Sequence, residues 1–214
     1  MNALLPVSAS SRSRSAPLKS VRLNDCHSGL NETSIAGLFE PAGPEDLSRV
    51  LRTAAAKKLP VSVCGARHAM GGQQFARDGL VVDCRGLNRI LELDAEHGIV
   101  EVEEGITWPE LVKALNAAPA VGNGGRFGWT ITQKQTGADE LTLGSALAAN
   151  VHGRGLARPP IVSDVESFRL MTADGDLVEC SRTRNADLFS LAIGGYGLFG
   201  IVYSVKLRLT PRRK

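Results

Sequence analysis

The sequence predicts an α+β fold, built as one domain or as two small lobes that share a ligand, and three observations carry that expectation. Leu47, Val50, Leu51 and Ala54 repeat at helical spacing behind Pro44-Glu45-Asp46. Runs such as Ile99-Val100-Glu101-Val102-Glu103 alternate in the manner of half-buried strands. The length of 214 residues suits one domain or two modest lobes.

Composition narrows the class. Hydrophobic residues make up 43% and charged residues 22%, which is ordinary for a globular chain with a sizeable core. The net charge is +3, with the excess at the two ends, Arg12 to Arg22 and Arg208 to Lys214. A basic face interleaved with aromatics is missing, so no nucleic-acid partner is expected. Cys26, Cys64, Cys84 and Cys180 are too far apart for a zinc or redox motif, and no His pair has metal-ligand spacing, so no metal is expected. Isolated cysteines read as reduced thiols, which favours a cytoplasmic setting. No run reaches the length of a membrane span. The first twenty residues are rich in Ser and Arg, and read as a disordered tail, with a transit peptide as the second reading.

In chain order, Pro44 suits a first helical position, Glu45 and Asp46 suit the positive end of the dipole, and Lys57-Lys58 suit the other end. Residues 59–63 read as a strand running into the loop Cys64-Gly65-Ala66-Arg67-His68-Ala69-Met70-Gly71-Gly72-Gln73. A loop of this kind can present free N–H groups to an anion, or serve as a turn. Strands follow at 79–83, 90–93 and 99–103, then a helix from Trp108 through Leu115 and a glycine-rich loop over 122–128. Val165 to Met171 is a strand, Asp174-Gly175 a hairpin turn, and 177–180 the return strand. A short helix begins at Asn185, and Ile201 to Leu209 is a final alternating strand.

The most informative stretch runs from Leu141 to Gly155 and includes Thr142-Leu143-Gly144-Ser145-Ala146-Leu147-Ala148-Ala149-Asn150-Val151-His152-Gly153. A core is stabilised by buried area, and a run meant only for one would use larger side chains. Two readings stand: a surface for a flat cofactor, or a small-residue helix packed closely on a neighbour. Gly195, Gly197 and Gly200 formally match GxGxxG, but a helix precedes them and a strand follows. The dinucleotide fingerprint requires the reverse order, so a Rossmann site is rejected.

Three segments, taken together, resemble one family. Gly65 to Gln73, Thr142 to Gly155, and Asp187 to Ile201 match, in order and spacing, the FAD-binding domain of the vanillyl-alcohol oxidase / p-cresol methylhydroxylase (PCMH-type) flavoproteins. The resemblance covers residues 40–210. It implies two α+β lobes, here 21–105 and 106–214, clasping FAD, in the FAD-binding portion of a flavin-dependent oxidoreductase. The implied reaction moves a hydride from an alcohol-like carbon of a sugar, alditol or lactone to flavin N5.

Carried over by residue, Cys64, Gly65, Ala66, Arg67, His68, Ala69, Met70, Gly71 and Gly72 would form the loop around the pyrophosphate. Gly137 and Thr142-Leu143-Gly144-Ser145 would lie along the cofactor, Ala148, Ala149, Asn150, Val151 and His152 would border the flavin, and Ile201 would meet the adenine end through its backbone. His68 is the implied site of a covalent bond to the flavin 8α-methyl, the alternative being a hydrogen bond to phosphate or loop. His152 is either a donor to the ring or a structural His. Ala69 replaces the usual Ser and Ser145 a usual Gly, changes expected to weaken FAD binding. Val151, at a position that gates oxygen in relatives, favours a dehydrogenase. Family members continue into a substrate-capping domain that supplies the catalytic acid or base. No cap domain is legible after Thr210, so no catalytic residue is assigned, and a small-molecule substrate is expected only where a cap is supplied. The alternatives are a flavin-binding module or truncated fragment without turnover of its own. No feature bears on oligomeric state.

Overall fold

The computed structural model describes residues 19–119, 128–135, 137, 139–153, 155 and 157–212. The tail expected over 1–20 and the glycine loop expected over 122–128 fall almost wholly outside the described residues.

Two short strands, β1 (Val21–Leu23) and β2 (Thr33–Ile35), pair antiparallel ahead of the first layer. That layer is a parallel three-stranded sheet of β3 (Gly37–Phe39), β4 (Val61–Cys64) and β5 (Leu80–Asp83), with β5 in the middle and buried along its length. Helix α1 (Pro44–Lys57) is the crossover from β3 to β4. It buries Leu47, Val50, Leu51 and Ala54, the four positions of the sequence pattern, and ends at Lys58 in the left-handed region (φ 54°).

The second layer is an antiparallel sheet. Its strands are β6 (Ile90–Asp94), β7 (Ile99–Glu103), β8 (Trp129–Ile131), β9 (Val165–Met171), β10 (Leu177–Ser181) and β11 (Ile201–Pro211). Strand β11 is the spine, pairing with β9 on one side and with β7 and then β8 on the other. Strands β6 and β7 both precede residue 105, yet they are hydrogen-bonded into this sheet with strands that follow it. Helices α2 (Trp108–Ala117), α3 (Leu143–Ala148) and α4 (Ala186–Ala192) contribute Leu111, Leu147 and Phe189 to its core. In α2 the Glu110 carboxylate accepts from the Thr107 N–H at 2.8 Å, completing a capping box.

A second apolar cluster joins the layers, packing Leu47 and Val50 of α1 and Val82 of β5 against Met171, Ile201 and Tyr203. Below it, the buried Glu103 carboxylate accepts from Arg89 at 2.6 and 3.0 Å and from the Tyr203 hydroxyl at 3.0 Å. A buried carboxylate needs such partners, because desolvation without them is costly.

The order α4, glycine loop, β11 is the inverse of the dinucleotide fingerprint, as the sequence indicates. Thr142 to Ser145 is the start of α3, because the Thr142 hydroxyl accepts from the Ser145 N–H at 3.4 Å and caps a helix that buries Leu143, Ala146 and Leu147.

Candidate FAD-binding site

Strand β4 ends at Cys64, and the chain turns through 65–72 above the parallel sheet. The turn is pinned from outside. The Cys26 N–H donates to the Arg67 carbonyl at 3.0 Å, the Asn31 side chain to the Met70 carbonyl at 2.5 Å, and Gln74 to the Ala69 carbonyl at 2.9 Å. Asn31 is itself held by Asp25, whose carboxylate accepts from the Ser28 backbone at 2.5 Å and from Asn31 at 2.9 Å. Those hydrogen bonds hold the Asp25 carboxyl well below the usual range. Arg67 sits at φ 58° and Gly72 at φ 70°, so the loop uses left-handed backbone twice. With carbonyls engaged outward, the N–H groups of Ala66 to Gly71 find no acceptor among the described residues. This is a set of donors of the kind that receives an anion.

Helix α3 faces this loop. Its glycine and alanine positions divide into two kinds. A Cβ at Gly65 would meet Ser145 Oγ at 2.6 Å and collide with the Thr142 hydroxyl, and a Cβ at Gly144 would collide with the Glu104 carboxyl. Those two glycines make room for other parts of the chain. Ala148 and Ala149, by contrast, face open space. One side of the segment is thus closely packed on its neighbours, and the other lines a cleft. Beyond the helix, Asn150 takes φ 44° and reverses the chain, and the Val151 N–H donates to the Ala146 carbonyl at 3.0 Å. The glycine cluster docks here through Gly194 N–H to Leu147 O and Tyr196 N–H to Ala148 O, both 3.1 Å.

Between loop and helix lies a cleft of about 520 Å³. That is within the roughly 300–1,000 Å³ of cofactor pockets. Cys64, Gly65, Ala66, Arg67, His68, Ala69, Ser145, Ala148, Ala149 and Val151 line it, with Gln74, Gln135 and Tyr196. A narrower slot of about 70 Å³ adjoins it and is bordered by Gly144, Ile201 and Glu104. Met70, Gly71, Gly72, Gly137, Thr142, Leu143, Asn150 and His152 line neither space. Leu143 is in the core, and the exposed His152 ring lies 2.9 Å from the Gly153 carbonyl. The His68 ring centroid is 6.3 Å from that of His27.

Half of the orphaned buried polar atoms among the described residues belong to residues on these walls. Arg67 Nε, Gln74 Oε1, Gln135 Oε1 and Glu104 Oε1 are buried without a hydrogen-bond partner among the described residues. Buried polar groups are normally satisfied, so these four mark a place where ligand atoms belong. Burial pushes the Cys64 thiol up to about 12 and the Cys84 thiol well above its ordinary value. The Glu104 carboxyl rises to about 8 for the same reason. Sequence reasoning passed over Glu104, whose only signal was a second consecutive acid where the alternation of β7 breaks at Gly105. Among the described residues no His, Cys, Asp and Glu group is placed to hold a metal, and no helix is long and apolar enough to cross a membrane.

The residues present fit FAD. Small side chains leave a long space, unpaired N–H groups and Arg67 offer sites for phosphates, and orphaned side-chain atoms await partners. Comparison with known proteins points the same way. The rice (Oryza sativa subsp. japonica) cytokinin dehydrogenase 2 is 29% identical over 186 residues, covering 82% of this chain and 31% of its own length. Bovine (Bos taurus) L-gulonolactone oxidase is 27% identical over 174 residues, covering 81% and 37%. The mitochondrial L-galactono-1,4-lactone dehydrogenase of Arabidopsis thaliana is 29% identical over 187 residues, covering 87% and 29%. The chain thus spans about a third of the length of the relatives it matches. The model of the FAD binding domain family matches residues 35–181. The chain therefore belongs to that family, as a two-lobed α+β FAD-binding domain of the PCMH type found in FAD-linked oxidases.

Proposed function

We propose that this chain is the FAD-holding portion of a flavin-dependent oxidoreductase acting on an alcohol-like carbon of a sugar, alditol or lactone. One observation carries the reading: the 65–69 loop and the alanine face of α3 line a single cleft whose orphaned polar atoms want partners. Bound FAD would supply hydride acceptance at its flavin N5. Two of the three relatives above are named for lactones, which supports that substrate class, and the third is named for cytokinins.

In this reading the loop N–H groups and Arg67 hold the diphosphate, while Met70, Gly71 and Gly72 set the loop's return. Gly144 and Ser145, which border the cleft and its slot, lie along the cofactor, and Ile201 meets the adenine through its main chain. Ala148, Ala149 and Val151 border the flavin, with Val151 restricting oxygen and so favouring a dehydrogenase. His68, which lines the cleft, is the proposed point of attachment to the 8α carbon. That C–N bond would replace a His68 ring N–H and an 8α C–H bond, and the two electrons left over would be taken by the flavin ring itself. Exposed Tyr196 and Leu198 at the cleft rim give an apolar lip against which a substrate-capping domain would close. The four free cysteines support a cytoplasmic protein.

Titration of the chain with FAD tests the reading. It predicts stoichiometric binding with quenched flavin fluorescence, abolished by Ala148→Trp, which fills the cleft. A yellow chain that no alcohol, sugar or lactone bleaches, even with a cap domain supplied, would favour a binding module without turnover.

A further inference from the structure

Glu104 leaves the end of β7 pointing inward. Its main chain is fixed on both sides: its N–H donates to the Tyr203 carbonyl at 3.0 Å, and its carbonyl accepts from the Gly144 N–H at 2.8 Å. The residue is 6% exposed, Oε2 lies over Gly144, and Oε1 has no partner among the described residues. The carboxyl borders the narrow slot beside Ala148, Ile201 and Val202, and no cation lines that slot. A slot bordered by a buried carboxyl, one of whose oxygens has no partner among the described residues, is an incomplete binding site.

The chemistry of its occupant follows. A phosphate is acceptor-only and anionic, so it belongs with Arg67 and the loop. Burial favours a neutral acid here, and a neutral carboxyl presents one donor beside one acceptor. An adenine edge presents the complement, an exocyclic amine beside a ring nitrogen. We propose that Glu104 is the positioning residue of a purine subsite, accepting from the exocyclic amine and donating to the neighbouring ring nitrogen of an adenine nucleotide. The inference rests on the FAD reading above and adds to it a residue that selects the base.

The groups around Glu104 leave its titration visible. Cys84 and Cys64, from the end of β5 and from β4, are held neutral by burial, and the Cys84 thiol hydrogen-bonds the Glu104 carboxyl, an effect that burial outweighs; Tyr203 from β11 is also pushed up. Asp83 is paired with Arg85 at 2.6 Å, and Thr142 and Ser145 of the α3 end carry no charge.

The test is calorimetric titration of the 214-residue chain with FAD, FMN and ADP. Glu104→Leu is expected to bind FAD and ADP about tenfold more weakly, the scale of one or two lost buried hydrogen bonds. FMN, which lacks the purine, is expected to bind unchanged. Glu104→Gln keeps a donor beside an acceptor and is expected to keep its affinity. Wild-type affinity for ADP should fall as pH rises from 7 to 9, while the Gln variant stays flat. Equal weakening of FMN and ADP by the Leu variant, or matching pH profiles for wild type and Gln, would overturn the proposal. The pH comparison decides the matter even if the Leu variant does not fold. Wild-type binding of FMN without ADP overturns the purine subsite alone, whereas binding of neither flavin overturns the FAD reading beneath it.

Discussion

The carboxyl of Glu104 occupies the space that a side chain at Gly144 would need. A glycine inside a helix ordinarily costs about 1 kcal/mol relative to alanine, so Gly144→Ala would be expected to stabilise a free-standing α3. In this fold the added methyl meets not only the buried carboxyl of Glu104 but also its Cβ, which cannot swing aside as a side-chain tip does. Gly144→Ala is expected to lose about 1–3 kcal/mol, the range for overpacking. Adding Glu104→Ala should recover part of that loss. Urea denaturation of the two single variants and the double variant measures the coupling, which is absent if the residues do not touch.

The cap of α3 offers a second check. Thr142→Ala removes the oxygen that accepts from the Ser145 N–H and should cost about 1 kcal/mol. Gly65→Ala should cost more, since its Cβ would be driven into both Thr142 and Ser145. Equal stability of Gly65→Ala and wild type in the same denaturation assay would contradict the packing of loop on helix.

Glu104 also makes stability depend on pH. Its carboxyl ionises near 4.3 in an unfolded chain and at about 8 in the fold. Across that window the folded state holds more protons, so stability falls as pH rises from 4.3 to 8. Glu104→Gln removes the titration. The variant is expected to melt above wild type at pH 7, by a margin on the order of 2–4 kcal/mol that vanishes near pH 4. Thermal melts across pH read this directly, and parallel curves would refute it.

The thiols give a quick test of burial. Cys26 is exposed, whereas Cys64, Cys84 and Cys180 are buried, and burial pushes their ionisation to higher pH. A thiol reagent at pH 8 should label Cys26 rapidly in the native chain, and the other three only after denaturant is added.

Much of this was legible in residues that act locally. The spacing of Leu47, Val50, Leu51 and Ala54 marked α1, and the alternation from Ile201 marked β11, because each pattern lies within one element. The small residues of 141–155 announced a special surface. Less legible were β2, β3 and β8, each three residues long and too short to carry a period. Pairing across the chain was also hidden. Glu103 sits opposite Ser204, about a hundred positions away, so nothing near Glu103 reveals which sheet it joins. Glu104 escaped notice for a related reason: its burial depends on Gly144 and Tyr203, both remote in sequence.

The most direct measurement is to supply the purified chain with FAD, precipitate it in acid, and ask where the yellow colour goes. The account predicts a yellow pellet from wild type and a colourless one from His68→Ala. Colour in the wild-type supernatant would remove the covalent link and leave the cofactor. A chain that stays colourless before acid, with FAD supplied, would contradict the binding of FAD in this cleft.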